Sequence, residues 1–153
     1  MSPSLWKNRI LVVDDDPVIS AMIRQAQTSH GYECLLVSNG LHGWQTVKSK
    51  RPDAVVTDLM MPGGHGFVLL RQIKSDPESR QTPVILMTAT GSQQTRTEAL
   101  RLGAGAYFEK PFNLDELAQT LGRLLQGESV TPPVQTPSPA APASPDDDGM
   151  VLP

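Results

Sequence analysis

The stretch Ala54-Val55-Val56-Thr57-Asp58-Leu59-Met60-Met61-Pro62-Gly63-Gly64 decides how the rest of this 153-residue chain is read. Val55, Val56 and Thr57 favour β structure, the run ends on a carboxylate, and Pro62 with Gly63 and Gly64 then breaks the chain into a loop. The pattern predicts a buried strand over Asp53–Thr57 with Asp58 at its carboxyl end. In open α/β sheets that edge is where ligands collect.

Three more segments converge on the same edge. Ile10-Leu11-Val12-Val13 runs into Asp14-Asp15-Asp16, Val84-Ile85-Leu86-Met87 runs into Thr88, and Ala106-Tyr107-Phe108 delivers Lys110-Pro111. Arg9–Val13 is apolar on both faces, as a central strand of a parallel sheet must be. Tyr32–Val37 is a further strand, and Glu33 inside it predicts an edge position.

Helical patterns alternate with these strands. Asp16 is placed to cap a first helix with Pro17 at its first position, and Ile19, Met22, Ile23 and Ala26 form its apolar stripe, ending at Gly31. Asn39 caps a second helix, with Leu41, Trp44 and Val47 on one face. Gly66–Ser75 turns Leu69, Leu70 and Ile73 inward. Gln93–Leu102 has mainly Ala99 and Leu100 to bury, and so little core contact marks a helix able to move. Asn113 caps the last helix, striped by Leu114, Leu117, Ala118, Leu121 and Leu125. Five strand–helix alternations predict an α/β doubly wound parallel sheet.

Residues 1–126 read as one domain. Gly127–Pro153 reads as a disordered tail or a truncated linker: it holds seven of the fourteen prolines and no aromatic residue, so it buries too little apolar surface to offset its ordering entropy. The formal charge of −3 also divides there, because the tail carries four acids and no Lys or Arg and residues 1–126 are close to neutral. Neither part has the basic field that direct nucleic-acid binding needs. No run is long and apolar enough to span a membrane, the N-terminus lacks the apolar core of a signal peptide, and the single Cys34 fits a reducing compartment. The expected location is cytoplasmic.

Asp14 and Asp15 beside Asp58 make a carboxylate cluster. Such groups raise one another's pKa unless a cation neutralises them, and carboxylates, a backbone carbonyl and waters are what Mg2+ takes. No Cys/His set at ligand spacing points to zinc. Lys110 at the same edge can pair with Asp58 and later with a phosphoryl oxygen, and the Thr88 hydroxyl can hydrogen-bond an incoming phosphate. His30, His42 and His65 read as solvated side chains.

Asp14-Asp15, Asp58, Thr88 and Lys110-Pro111, in this order and spacing over about residues 9–126, resemble the receiver domain of two-component response regulators. The resemblance implies strand order 2-1-3-4-5, a flavodoxin-like receiver fold, with Asp58 as phosphoacceptor. It implies Mg2+ bound by Asp15, Asp58 and the backbone carbonyl of Met60, with Asp14 acting largely through water. Thr88 and Lys110 would hold the phosphoryl oxygens, Tyr107 would be the aromatic switch, and Lys110-Pro111 would be cis. The implied partners are a histidine kinase or phosphotransfer protein, and a downstream effector or a C-terminal output domain. A homodimer through the fourth helix, fifth strand and fifth helix is a further implication.

Gly64-His65 departs from the commonest family pattern, and Met60 and Thr90 stand where water-positioning polar residues are frequent. Other readings compete. A phosphorylation-independent pseudo-receiver lacks support from so complete a set. A haloacid-dehalogenase-type phosphatase wants an acid at position 60, and a flavodoxin relative wants a Gly/Ser/Thr loop where three aspartates stand.

Overall fold

The computed structural model describes residues 8–61 and 65–127. The stretch 62–64 and the expected tail beyond Gly127 lie outside the described residues. Five strands, β1 (Arg9–Val13), β2 (Glu33–Val37), β3 (Ala54–Asp58), β4 (Val84–Thr88) and β5 (Ala106–Glu109), alternate with five helices, α1 (Pro17–Ser29), α2 (Gly40–Lys50), α3 (Gly66–Ser75), α4 (Gln93–Arg101) and α5 (Leu114–Leu125). All pairings are parallel and the sheet order is β2-β1-β3-β4-β5. The doubly wound parallel sheet is the one the alternation predicts, and its strand order is the one the resemblance implies.

The sheet divides the core in two. Ile10, Val12, Ala54, Val56, Ala106 and Phe108 face α1 and α5. Leu11, Val13, Val55, Val84, Leu86 and Tyr107 face α2, α3 and α4. Because side chains alternate along a strand, the first row continues to Asp14, Asp58 and Lys110 at the carboxyl edge. The second continues to Thr88 and Glu109. Strand parity therefore sorts the polar residues before any of them makes a contact.

Local signals set the helix starts. The Asp16 carboxylate accepts from the Val18 and Ile19 backbone N–H groups, the Asn39 side chain accepts from His42, and the Asn113 side chain accepts from Asp115 and Glu116. Each cap satisfies backbone donors that the first turn leaves free.

Two apolar stripes face differently from the sequence pattern. On α1, Met22 is 49% exposed, and Ser20, Ile23 and Gln27 are the buried residues. On α2, Leu41 is 58% exposed, and Gly40, Gly43 and Val47 are buried instead. Small residues let the helix backbone approach the sheet, so the buried line runs through Gly43 and Ser20 rather than through the largest apolar side chains. A Cβ on Gly43 would already lie 3.2 Å from both Leu69 and Val13.

Gly66, the first residue of α3, sits against the strand that carries Asp58. A Cβ there would stand 2.5 Å from the Asp58 carbonyl oxygen and 3.0 Å from the Leu59 Cα, while the Gly66 N–H donates to the Leu59 carbonyl at 2.7 Å. Backbone, unlike a side-chain tip, cannot swing aside. Gly66→Ala should therefore lower stability by about 1–3 kcal/mol, the usual cost of overpacking. Urea unfolding of the two proteins checks this, and an unchanged midpoint would show that the α3 start yields freely.

Candidate functional site

Asp14 is held from every side. Its N–H donates to the Val37 carbonyl at 3.1 Å, and its own carbonyl accepts from the Ser20 hydroxyl at 3.3 Å. Its Oδ1 accepts from the Asp16 N–H at 2.9 Å, and its Oδ2 accepts from Lys110 Nζ at 2.8 Å. The carboxylate is thus buried, oriented and paired. Ser20 was invisible to an argument from apolar periodicity. Its only signal was a small hydroxyl on the buried face one turn after the aspartates.

Asp58 ends β3 and is 8% exposed. Its Oδ2 lies 3.5 Å from Lys110 Nζ, so Lys110 bridges Asp14 and Asp58 and is closer to Asp14. Burial pushes the Asp58 carboxyl above its usual range; the Lys110 charge opposes that and the Asp14 charge adds to it. Burial acts against the Lys110 ammonium, but its hydrogen bond to Asp14 and the charges of Asp14 and Asp58 outweigh this and leave its pKa raised. Lys110 stays charged, and one cation faces more negative charge than it cancels.

Asp15 is exposed beside this pair, and one carboxylate oxygen from each of Asp14, Asp15 and Asp58 falls within 4.8 Å of the others. A hard cation fits that donor set: all oxygen, no sulfur or imidazole, on an open side of the sheet edge. The Met60 side chain is 55% exposed just after Asp58. Lys110-Pro111 is cis.

Thr88 ends β4 on the opposite row, almost fully buried, and its Oγ1 accepts from the Thr90 N–H at 3.1 Å. Among the described residues no hydrogen bond joins the Thr88 hydroxyl to the side chain of Lys110 or Asp58; only the backbones meet, the Lys110 N–H donating to the Thr88 carbonyl at 2.7 Å. Tyr107 lies on the same row as Thr88, fully buried. His65 is exposed at the start of α3 and makes no side-chain cap, and His30 pairs with Asp115 at 3.3 Å.

Two grooves flank the cluster. One, about 540 Å³, is lined by Asp14, Asp15, Ser20, Val37 and His42. The other, about 370 Å³ and mostly apolar, runs past Ile19, Met22, Phe112 and Leu114 to Lys110. No helix among the described residues is long and apolar enough to cross a membrane.

Comparison with known proteins places this geometry. Residues 10–122 match the response regulator receiver domain family. The chain is 35% identical over 127 residues to the phosphate regulon transcriptional regulatory protein PhoB of Pseudomonas aeruginosa, covering 80% of this chain and 56% of that protein. It is 40% identical over 123 residues to the regulatory protein AtoC of Escherichia coli, covering 80% and 26%. The chain thus spans little more than half of one relative and about a quarter of the other. Among solved structures, the receiver domain of Francisella response regulator 1452 superposes with a TM-score of 0.74 at 29% identity, covering 79% of this chain and 98% of that one. The chemotaxis response regulator CheY4 of Vibrio cholerae gives 0.72 at 27%, covering 78% and 99%. A sheet edge that gathers three carboxylates, two of them paired to one lysine, on a fold and a sequence shared with these proteins, makes the chain a member of the response regulator receiver domain family.

Proposed function

We propose that the protein is a cytoplasmic phosphoacceptor switch of a two-component phosphorelay, with Asp58 as the acceptor. The observation that carries this is the Lys110 ammonium held between Asp14 and Asp58. A carboxylate whose cation is shared and whose own charge is disfavoured gains from any chemistry that brings in more positive charge or converts the carboxylate to an ester-like group.

In the reaction, an Asp58 oxygen attacks the phosphorus of a phosphohistidine in line. The O–P bond forms as the N–P bond breaks, and the electron pair of that bond stays on the imidazole nitrogen. Asp14 fixes Lys110 so that its ammonium meets the phosphoryl oxygens without reorganising, which is where electrostatic catalysis gains most. Asp15, Asp58 and the Met60 carbonyl are the residues that would hold Mg2+, which when bound supplies charge neutralisation to the transferring group. Thr88 donates its hydroxyl proton to the phosphoryl group, since its present contact with Thr90 uses the oxygen only as an acceptor.

The donor is a protein. The described residues with large exposed apolar side chains are Val18, Met22, Leu41, Met60 and Val68, and each follows the carboxyl end of β1, β2 or β3. They offer exposed apolar surface on the segments that leave the carboxyl edge, as suits a docking histidine kinase or phosphotransfer protein. Output runs through α4, β5 and α5: Ala99 is the one buried residue of α4, so this helix is the most lightly held. An effector, a second copy of the chain or a C-terminal output domain reads that face.

Treatment with a small-molecule acyl phosphate and Mg2+ should add one phosphoryl group by intact mass, and Asp58→Asn or excess chelator should abolish it. An adduct that survives either change contradicts the assignment of Asp58.

Lifetime follows from the next residues. Hydrolysis needs a water held in line with the phosphoryl bond, and orientation is a large share of that barrier. Met60 is exposed and apolar, so it crowds this water without aligning it; the Thr90 hydroxyl has a short reach. Met60→Asn should dephosphorylate several-fold faster at saturating Mg2+, followed by the decay of the phosphoryl adduct. An equal rate would mean that position 60 does not set the lifetime.

A further inference from the structure

Tyr107 is fully buried, and its hydroxyl makes no side-chain hydrogen bond among the described residues, with the Ser92 backbone a hydrogen-bonding group beside it. Buried phenols are ordinarily satisfied. Its nearest surroundings explain how this one is accommodated. A Cβ on Gly91 would fall 2.6 Å from the Tyr107 hydroxyl and would also strike the Glu109 carboxylate. The hydroxyl and the carboxylate therefore crowd one point, which only a residue without a side chain leaves open. Gly91 carries no positive φ that would itself call for glycine. Its absent side chain, not its backbone freedom, is what the structure uses.

Glu109 reaches that point for a reason written in the strand. It follows Tyr107 by two residues on β5, so both side chains leave the same face of the sheet. Its register partner on β4 is Thr88, and the next residue, Lys110, donates its N–H to the Thr88 carbonyl at 2.7 Å. Burial raises the Tyr107 pKa and the Glu109 charge raises it further, while the Ser92 backbone and Arg96 act the other way. Glu109 thus stands close to the phenol and one residue from the site lysine.

The geometry points to Gly91 and Glu109 as the positioning residues of the aromatic switch. Gly91 is the gate that leaves the Tyr107 hydroxyl room to lie inward, and Glu109 is the acceptor that its hydrogen bond takes when the β4–α4 turn closes on the phosphorylated site. This rests on the switch reading above and names the residues that set its bias. Any side chain at 91 shifts Tyr107 outward. Loss of the carboxylate at 109 leaves it inward at rest but weakens its response to phosphorylation.

The chain has two tyrosines, Tyr32 and Tyr107, so 3-fluorotyrosine labelling gives two fluorine resonances, assigned with Tyr107→Phe. In the resting protein, Gly91→Ala should move the Tyr107 resonance and give it the solvent-isotope shift of an exposed ring. With beryllofluoride and Mg2+, the wild-type resonance should shift, and Glu109→Ala should lose most of that shift while Glu109→Gln, which keeps an acceptor oxygen, retains it. A denaturation cycle guards against simple misfolding. The midpoint lost in Gly91→Ala should be partly recovered in Gly91→Ala/Tyr107→Phe, because the hydroxyl is one of the two clashing groups and the other, the Glu109 carboxylate, can swing aside.

A Tyr107 resonance that stays buried in Gly91→Ala, or a double variant no better than the single one, overturns the gate. A full response in Glu109→Ala overturns the acceptor. If the wild-type resonance ignores beryllofluoride, the switch reading and the acceptor role fall together, while the gate is still decided by the resting spectra.

Discussion

One ammonium serves two buried carboxylates, and the structure of the sheet edge follows from that constraint. Lys110 Nζ is 2.8 Å from Asp14 and 3.5 Å from Asp58, with 16% of its side chain exposed. Buried ion pairs hold only when the remaining hydrogen-bonding capacity is met. For Asp14 it is met, by the Asp16 N–H on one oxygen and Lys110 on the other. For Asp58 burial outweighs what the Lys110 ammonium and the Leu59 backbone supply, and its carboxyl is left with a raised pKa. The two acids are chemically alike. Their surroundings divide them into a fixed counter-ion and a group that gains from reacting.

The fold makes this division cheaply. Asp14, Asp58 and Lys110 end the strand row that faces α1 and α5, and Thr88, Tyr107 and Glu109 end or lie on the row that faces α2, α3 and α4. Charge is gathered on one side of the sheet and the buried Tyr107 ring on the other, with the strand ends between them. Gly66 and Gly91 then do the same job at two places. Each omits a side chain where backbone or a buried hydroxyl must come close, one under Asp58 and one over Tyr107.

Much of this was legible in the sequence because it rests on order and period. Strand runs ending in Asp14, Asp58, Thr88 and just before Lys110 fix which edge the polar residues share, and the caps at Asp16, Asn39 and Asn113 follow from residue type. What stayed hidden depends on distances between elements. Periodicity put Met22 and Leu41 inward, yet the helices bury their small residues instead, since close helix–sheet approach favours Gly43 and Ser20 over bulk. The preference of Lys110 for Asp14 over Asp58 is a matter of tenths of an ångström that no spacing encodes. Gly91 and Glu109 are 18 residues apart by their numbers and meet only because β4 and β5 pair in register.

The central claim is that the fold holds Asp58 ionised at a cost, ready for a cation or a phosphoryl group. Its folded-state pKa is raised, so ionisation destabilises the fold at pH values above the ordinary carboxylate range, and the penalty disappears as pH falls below it. The direct measurement is the unfolding free energy of the wild type and Asp58→Asn across pH without divalent cations. The account predicts that the Asn protein is the more stable at neutral pH and that the difference closes in acid. An Asn protein less stable than the wild type at neutral pH would show that Lys110 fully satisfies Asp58, and the account would be wrong.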